Sequence, residues 1–195
     1  GESTDNISPA TPDNVNASTT GNNIDMTWDY TEDIDFAYHQ FNQLWDNSVY
    51  TLDNQMDITI NEDYDEYHIH SVDIHNNESN ASDYVGAHDL YEGANLVGVC
   101  VIPEDNAIGN VIVGDISGVI GAGVAAYQTS GGVWVGSLTH IDSTSGYWIK
   151  ANENFTHLTV APKRETEEYA LDDALELISY CCPFKQDVSE IDNGN

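Results

Sequence analysis

The amino-acid sequence predicts an all-β fold: a β-sandwich, a second small antiparallel β domain, and a short C-terminal segment. Three observations support this fold class. Short stretches alternate between apolar and polar residues, polar segments rich in Asn and Ser separate them, and helical spacing is confined to residues 165–178. Alternation with a period of two places every second side chain on one face of a strand. Many short strands divided by turn signals are typical of sandwiches and barrels.

The alternating stretches can be placed in chain order. In the first of them, Ile24, Met26 and Trp28 share one face of a strand. Residues 165–178 have the spacing of a helix, with a strand as the alternative for their end. The other predicted strand segments are 57–60 and 67–73, and a turn over 76–80 follows the second of them.

Composition divides the chain near residue 89. The part before it is rich in Asp, Asn, His and Tyr, whereas residues 96–135 are rich in Val, Ile and Gly. This shift predicts a domain boundary at residues 87–89. The predicted organisation is a linker over 1–8, a first domain over 9–88, a small β module over 89–160, and a linker with the start of a second copy of that module over 161–195.

The second copy is inferred from a partial internal repeat. Residues 90–100 and 171–181 share leucine and cysteine at corresponding positions. A copy that stops after its opening strand has no core of its own, so the repeat indicates a fragment of a longer tandem protein. Because the first residue is Gly1 rather than Met, we expect a mature product or an excised fragment.

The charge balance excludes several classes of function. Acidic residues outnumber basic ones by 34 to 4, which gives a net charge of −30. This balance excludes unaided binding to nucleic acid and docking on anionic lipid, because both require Lys and Arg side chains. Because 40% of the residues are hydrophobic and 10% aromatic, the chain is not a disordered acidic tail. A high-salt habitat is a competing origin of the acidity.

Landmarks of a known domain occur in order in the first part of the chain. Pro9-Ala10-Thr11-Pro12 precedes the strand that ends in Trp28, and residues 35–41 and 67–73 read as later strands. In this order and spacing, residues 9–88 resemble a fibronectin type III domain, of the kind attached to bacterial and viral surface proteins. The resemblance implies a sandwich in which Trp28 is the core tryptophan and Tyr67 the tyrosine-corner residue.

Three short motifs characterise the second part. They are an opening Gly-x-Asn-Leu strand at 93–96, a Trp-x-Gly-Ser-Leu at 134–138 and a closing Ser-Gly-Tyr-Trp strand at 145–148. Residues 89–160 thereby resemble a small β module of secreted, cell-surface and marine phage proteins. This resemblance implies a surface location and repetition, and it implies no activity.

Acidic residues cluster in two of the predicted loops. Asp29, Asp33 and Asp35 follow the strand of Trp28, and Asp63 and Asp65 precede the segment 67–73. Opposed carboxylates in loops suit Ca²⁺, which takes 6–8 oxygen ligands. The sequence therefore makes these five residues candidate calcium ligands, although it contains no EF-hand pattern. A surface that is merely screened by cations is the alternative.

Histidines form a second candidate metal site. His68 and His70 are two positions apart, so both project from the same face of a strand, outward if Tyr67 and Ile69 face the core. Such a pair can chelate Zn²⁺ or Cu²⁺ when a third ligand is near. A solvated strand face is the alternative that the sequence favours. His39 is expected to be a hydrogen-bonded core residue.

Motifs of catalysis give no support to an enzyme. Residues 121–126 match the dinucleotide fingerprint, but Gly131 and Gly132 leave less than two turns for the helix that it requires. We therefore interpret these glycines as a tight apolar turn. No signature of a serine hydrolase, a zinc protease or a P-loop occurs in the sequence.

The three cysteines leave their pairing open. Cys100 can pair with Cys181 or with Cys182 if the opening strands of the repeat lie together. Buried free thiols are the alternative. An odd number of cysteines leaves one thiol free or joined to another molecule.

The predicted function is that of a non-catalytic structural or adhesion module on an extracellular, cell or virion surface. Its expected partners are neighbouring copies or other surface or capsid proteins, and also glycans, with no nucleic acid and no membrane. The alternatives are a carbohydrate-binding module and an accessory domain of an extracellular enzyme. Aromatic candidates for sugar contact are Tyr30, Trp45, Tyr50, Tyr64, Tyr84 and Tyr127.

Overall fold

A computed structural model describes residues 6–29, 32–42, 49–60, 66–162 and 178–179. The chain divides into two compact units between Val85 and Gly86. Across the described residues the regular structure is antiparallel β-sheet with one short helix, which confirms the predicted all-β, sandwich-like fold. In these same ranges no helix has the length and apolar character needed to cross a bilayer.

The first unit contains two groups of hydrogen-bonded strands. One is the three-stranded antiparallel sheet β1-β2-β5, and in the other β3 lies between β4 and β6. After β6 the chain turns back along it, since the N–H groups of Ser79 and Ser82 donate to the carbonyl oxygens of Ser71 and Ile69. The strands are β1 (Asn16–Thr20), β2 (Asn23–Thr27), β3 (Phe36–Asn42), β4 (Val49–Thr51), β5 (Gln55–Thr59) and β6 (Glu66–Asp73).

Both groups of strands contribute apolar side chains to the core of the first unit. Ile24, Met26 and Trp28 are all buried, as the alternation predicts. Phe41 of β3 and Tyr67 of β6 are buried too, and their rings stack with centroids 5.8 Å apart. Rows of inward side chains that alternate with exposed ones are what a sandwich requires.

The second unit is built around a five-stranded antiparallel sheet in the order β11-β10-β9-β12-β8. All three predicted motifs of the small module lie in this sheet: 93–96 in β8, 134–136 in β11 and 146–148 in β12. The predicted boundary at 87–89 falls inside β7, the strand that runs from the first unit into the second. The elements are β7 (Tyr84–Leu90), β8 (Gly93–Gly98), α1 (Ile108–Val111), β9 (Ile116–Gly121), β10 (Val124–Gln128), β11 (Trp134–Gly136), β12 (Gly146–Ala151) and β13 (Phe155–Ala161).

The glycine-rich segment after β9 is a tight hairpin turn, as predicted. Gly121 of β9 pairs with Val124 of β10, so only two residues connect the strands. Gly123 has φ +73°, a left-handed conformation that glycine adopts without steric cost. Because the glycines lead into a strand rather than a helix, they do not form a dinucleotide site.

The C-terminal segment is described at two residues, and both lie on the second unit. Ile178 forms an antiparallel bridge with Ser145. A Cβ placed on Gly98 would lie 2.7 Å from the Cβ of Ser179, so Gly98 leaves room for this contact. The predicted helix over 165–178 and the second copy of the module otherwise lie outside the described residues.

Cys100 is disulfide-bonded. The sequence contains two further cysteines, Cys181 and Cys182, both outside the described residues. A disulfide stabilises the fold mainly by restricting the unfolded chain, by about 2–4 kcal/mol.

Reduction is therefore expected to destabilise the second unit. We expect the denatured, unreduced chain to titrate with one thiol, because one disulfide uses two of the three cysteines. Reduction, or the substitution Cys100→Ser, is expected to lower the free energy of unfolding by about 2–4 kcal/mol. A thiol assay and denaturant unfolding measure the two effects. Three thiols before reduction would contradict the disulfide.

Candidate functional site

Three of the predicted calcium ligands, Asp29, Asp33 and Asp35, lie in the described part of the chain. The Asp29 carboxylate accepts a hydrogen bond of 2.6 Å from Asn14 Nδ2, and that of Asp33 accepts one of 2.6 Å from the backbone N–H of Ala10. These two aspartates therefore anchor the N-terminal segment, and only Asp35 joins a group of metal-ligating atoms among the described residues. Two further predicted ligands lie outside those residues, Asp63 and Asp65.

Asp35 lies beside Asp73 and His75 at the end of β6. One ligand atom from each of the three residues lies within 4.8 Å of the other two. Asp73 is buried, with 1% of its surface exposed. Its carboxylate accepts hydrogen bonds from the N–H of His75 at 2.8 Å, the N–H of Asn77 at 2.7 Å and Asn77 Nδ2 at 2.6 Å. The turn that follows β6 is thus organised around this carboxylate.

Hydrogen bonds keep Asp73 ionised. Burial by itself raises the pKa of this carboxyl group, but the bonds from Asn77 and His75 outweigh burial, and the pKa lies below its usual value. Two carboxylates and an imidazole are a donor set for a transition metal rather than for Ca²⁺, which takes oxygen ligands. Sequence spacing gave no signal for this group, because Asp35 precedes the other members by a whole strand and more.

Removal of divalent cations is expected to leave the first unit stable. The carboxylate of Asp73 is held by three N–H donors of its own turn, so the turn does not need a cation. We expect EDTA to leave the melting temperature unchanged. A fall in the melting temperature that CaCl₂ reverses would contradict this expectation. If an Asp35→Asn variant showed the same fall, the cation would be bound at another site.

The side chains of the histidine pair lie on the face of β6 opposite to Tyr67 and Ile69. Along β6, Tyr67 and Ile69 are buried and His68 and His70 are half-buried. The two imidazole rings meet edge to face, with centroids 5.0 Å apart. In the ranges that the structure describes, no third residue has a ligand atom within 4.8 Å of ligand atoms of both histidines.

Neighbouring groups explain how the two rings are held. His70 Nδ1 lies 2.9 Å from the carbonyl oxygen of Ser79 and 3.3 Å from a carboxylate oxygen of Glu78. The ring of His68 packs on that of Tyr84, with centroids 4.4 Å apart. These contacts fix the rings on the strand, which is what a structural role requires.

Two other histidines are core residues. His39 is buried beside the rings of Trp28 and Phe36, and its Nδ1 lies 3.4 Å from Ser71 Oγ, which confirms the prediction for this residue. Burial lowers its pKa to about 4, so the ring is neutral at pH 7. His157 of β13, which the sequence did not single out, is also buried and has a pKa of about 4.

The two exposed aromatic candidates for sugar contact among the described residues belong to different units. Tyr50 belongs to the first unit and Tyr127 to the second, with 59% and 56% of their surfaces exposed. Tyr84 is buried, so the suggestion that it contacts sugar is wrong. Three candidates lie outside the described residues, Tyr30, Trp45 and Tyr64.

The outward side of the five-stranded sheet of the second unit is an exposed apolar surface. Across the strands, Trp148 of β12 pairs with Leu96 of β8 and with Ile120 of β9, and Ile120 pairs with Ala125 of β10. Their exposed fractions are 56% for Leu96, 57% for Ile120 and 43% for Trp148. One step along the sheet, Tyr127 of β10 pairs with Val135 of β11. We call these six residues the outer sheet face.

Strand alternation produces this face. Val119, Ala126 and Ile149 point to the opposite side, where they are buried in the core. The outward positions next to them carry aliphatic and aromatic side chains, where a half-solvated sheet normally carries polar ones. The sequence motifs mark β8, β11 and β12, but they do not identify the face, because its members come from five separate segments.

Charge sets the outer sheet face apart from the remaining surface. About one residue in six of the chain is acidic, 34 of 195. None of the five strands of this sheet contains Asp or Glu, and β12 contains Lys150, one of four basic residues in the chain. A carboxylate-free apolar face on a highly acidic protein is a candidate binding surface.

No protein-family model and no curated protein matches this sequence. The resemblances of residues 9–88 and 89–160 therefore depend on the motifs of the chain itself. The structure adds strand order, register and burial to those motifs.

Proposed function

We propose that this chain is a non-catalytic structural and adhesion module of an extracellular, cell or virion surface, and that it attaches through the outer sheet face. The exposed, carboxylate-free row of apolar residues on this sheet is the observation that carries the proposal. Exposed apolar patches of this kind are typical of interaction sites. Its partners are neighbouring copies or other surface or capsid proteins.

The proposed location is supported by the disulfide. Cys100 is disulfide-bonded, and such bonds persist in oxidising environments outside the cytosol. We include in the proposal a fibronectin type III-like first unit. Its strand groups β1-β2-β5 and β4-β3-β6, with Trp28 and Tyr67 buried between other core residues, support that assignment.

Surface labelling tests the location. Antibodies against the chain, detected by immunogold electron microscopy, are expected to label intact cells or particles that produce the protein. Labelling that occurs only after lysis would contradict a surface module.

Attachment tests the role of the outer sheet face. Beads coated with the chain are expected to bind intact producing cells or particles, and Ile120→Glu is expected to abolish that binding, because it places a carboxylate at the centre of the face. The matched control is Val113→Glu, since Val113 is an exposed residue of the same unit outside the face. Attachment that survives Ile120→Glu would contradict the proposal.

A carbohydrate-binding module is the second candidate function. It is favoured by two aromatic residues, Trp148 and Tyr127, that project from the same side of one sheet. Aromatic rings on a flat surface can stack against sugar rings. On a glycan array, saturable binding that Trp148→Ala abolishes and Tyr50→Ala preserves would support this alternative.

A further inference from the structure

The outer sheet face has the properties of a surface that binds a second copy of itself. We propose that two copies of this chain pack their outer sheet faces against each other, an inference that rests on the proposed function. Sheets that pack face to face lie about 10 Å apart and bury the apolar residues of both inner faces. A two-fold contact of this kind uses the same patch on both partners.

Electrostatics restricts where two such chains can meet. Each carries a net charge of −30, so most approaches bring carboxylates together. The sheet β1-β2-β5 contains Asp25 and Asp57, and β6 contains Glu66 and Asp73, whereas the strands of the outer sheet face contain no acidic residue. Two copies can therefore meet there without placing acidic strand residues opposite each other.

Lys150 offers a positive charge to the acidic border of a second copy. It is exposed on the same side of β12 as Trp148. Acidic residues border this end of the sheet, since Glu92 precedes β8, Asp115 precedes β9 and Glu153 follows β12, and all three are exposed. With the two-fold axis along the strands, this end of one sheet faces the same end of the other. The lysine of each copy then faces the acidic border of its partner and offsets part of the repulsion between the two borders.

The chemistry of the face favours a protein partner over a sugar. Leu96, Ile120 and Val135 contribute aliphatic surface between and beside the two aromatic rings. A sugar site adds placed polar groups that bind the hydroxyls. Lys150 is the one charged residue in the five strands of this sheet, and the row across them from Leu96 to Ala125 is apolar. Such a surface is suited to burial against another apolar surface.

The size of the face sets the strength of the contact. Five strands of three to six residues, with a rise of about 3.4 Å per residue and a spacing of about 4.8 Å, give a face of about 400 Å². Two such faces bury about 800 Å² in total, less than a standard stable interface. We therefore expect a weak, reversible contact that becomes strong when several copies are arrayed on a surface.

Sedimentation equilibrium measures the contact directly. The chain, from about 10 µM to about 1 mM, is expected to form reversible dimers, with more dimer in about 1 M than in about 0.05 M NaCl. Salt screens the repulsion between the two acidic chains, since the Debye length falls to about 3 Å at 1 M. Ile120→Glu is expected to weaken association at least about tenfold, and Val113→Glu is expected to leave it unchanged.

A second variant keeps the test independent of folding. Leu96→Glu changes the same row from another strand, and it is expected to weaken association as Ile120→Glu does while both variants keep the native melting temperature. A chain that is monomeric at every concentration and salt, or dimers that neither variant weakens, would overturn the inference. If the chain is monomeric but Ile120→Glu still abolishes bead attachment, self-association fails and the proposed function stands. Saturable glycan binding by such a monomer would assign the face to sugar.

Discussion

Replacing Gly136 by alanine is expected to unfold or severely destabilise the second unit. Gly136 ends β11 beside β10, and a Cβ at this position would overlap the carbonyl oxygen of Ala125 and lie 2.6 Å from the Cα of Ala126. Both obstacles are backbone atoms, so no side-chain rotation relieves the overlap. The carbonyl of Ala125 also accepts the N–H groups of Ser137 at 2.8 Å and Leu138 at 3.1 Å. We expect a loss of at least about 3 kcal/mol in the free energy of unfolding.

Gly131→Ala is the matched control for this prediction. Gly131 lies in the turn between the same two strands, and a Cβ there would meet nothing closer than Thr129 Oγ1 at 3.9 Å. Both substitutions reduce the entropy of the unfolded chain equally. Denaturant unfolding should therefore show a change within about 0.5 kcal/mol for Gly131→Ala. Equal stabilities of the two variants would show that the close approach at Gly136 is not needed.

The same geometry explains why the motif Trp-x-Gly-Ser-Leu is a useful sequence signal. Its glycine permits the close approach to β10, its serine accepts the N–H of Ala125 at 3.1 Å through Ser137 Oγ, and its leucine, Leu138, is buried. Each residue type thus answers a local physical requirement. The three motifs of the second unit could be recognised in the sequence because such requirements lie close together in the chain.

Alternation predicted side-chain direction but not which strands are neighbours. Trp148 was predicted to lie in a strand, yet its partners Ile120 and Leu96 follow from the register of three separate strands. The group of Asp35 and Asp73 depends in the same way on the pairing of β3 with β6. The candidate sites could therefore be identified only from the structure.

Two further features were hidden for different reasons. Helix α1 has four residues, fewer than the two turns over which a helical period can be recognised. The composition shift near residue 89 marks a change in amino-acid use, but β7 continues through it because backbone pairing is indifferent to that change. The helix was missed because it is too short to leave a periodic pattern. The composition shift is an imprecise boundary signal because it does not coincide with the end of a strand.

Acidification is expected to destabilise the second unit through His157. The ring is buried, its Nε2 lies 2.8 Å from the carbonyl oxygen of Val111, and its Nδ1 has no hydrogen-bond partner in the described part of the chain. Burial lowers its pKa to about 4 from the ordinary 6.5, the bond to Val111 opposes this, and the charge of His88 reinforces it. Between these values the unfolded chain binds a proton that the folded chain does not. Stability is therefore complete above pH 6.5 and falls as the pH drops toward 4, by up to about 3 kcal/mol.

The substitution His157→Gln separates this histidine from every other acid-sensitive group. Denaturant unfolding at about pH 7 and about pH 4.5 gives the loss of stability on acidification for each protein. We expect this loss to be smaller in His157→Gln by about 2–3 kcal/mol, because glutamine cannot take up the proton. His140→Gln is the control, since His140 is an exposed histidine of the same unit. If the native chain and His157→Gln lose the same stability, the buried ring is not the group that acid titrates. The loss must then come from groups that both proteins share, which are the carboxylates and the histidines His39 and His88, whose pKa values burial also lowers to about 4.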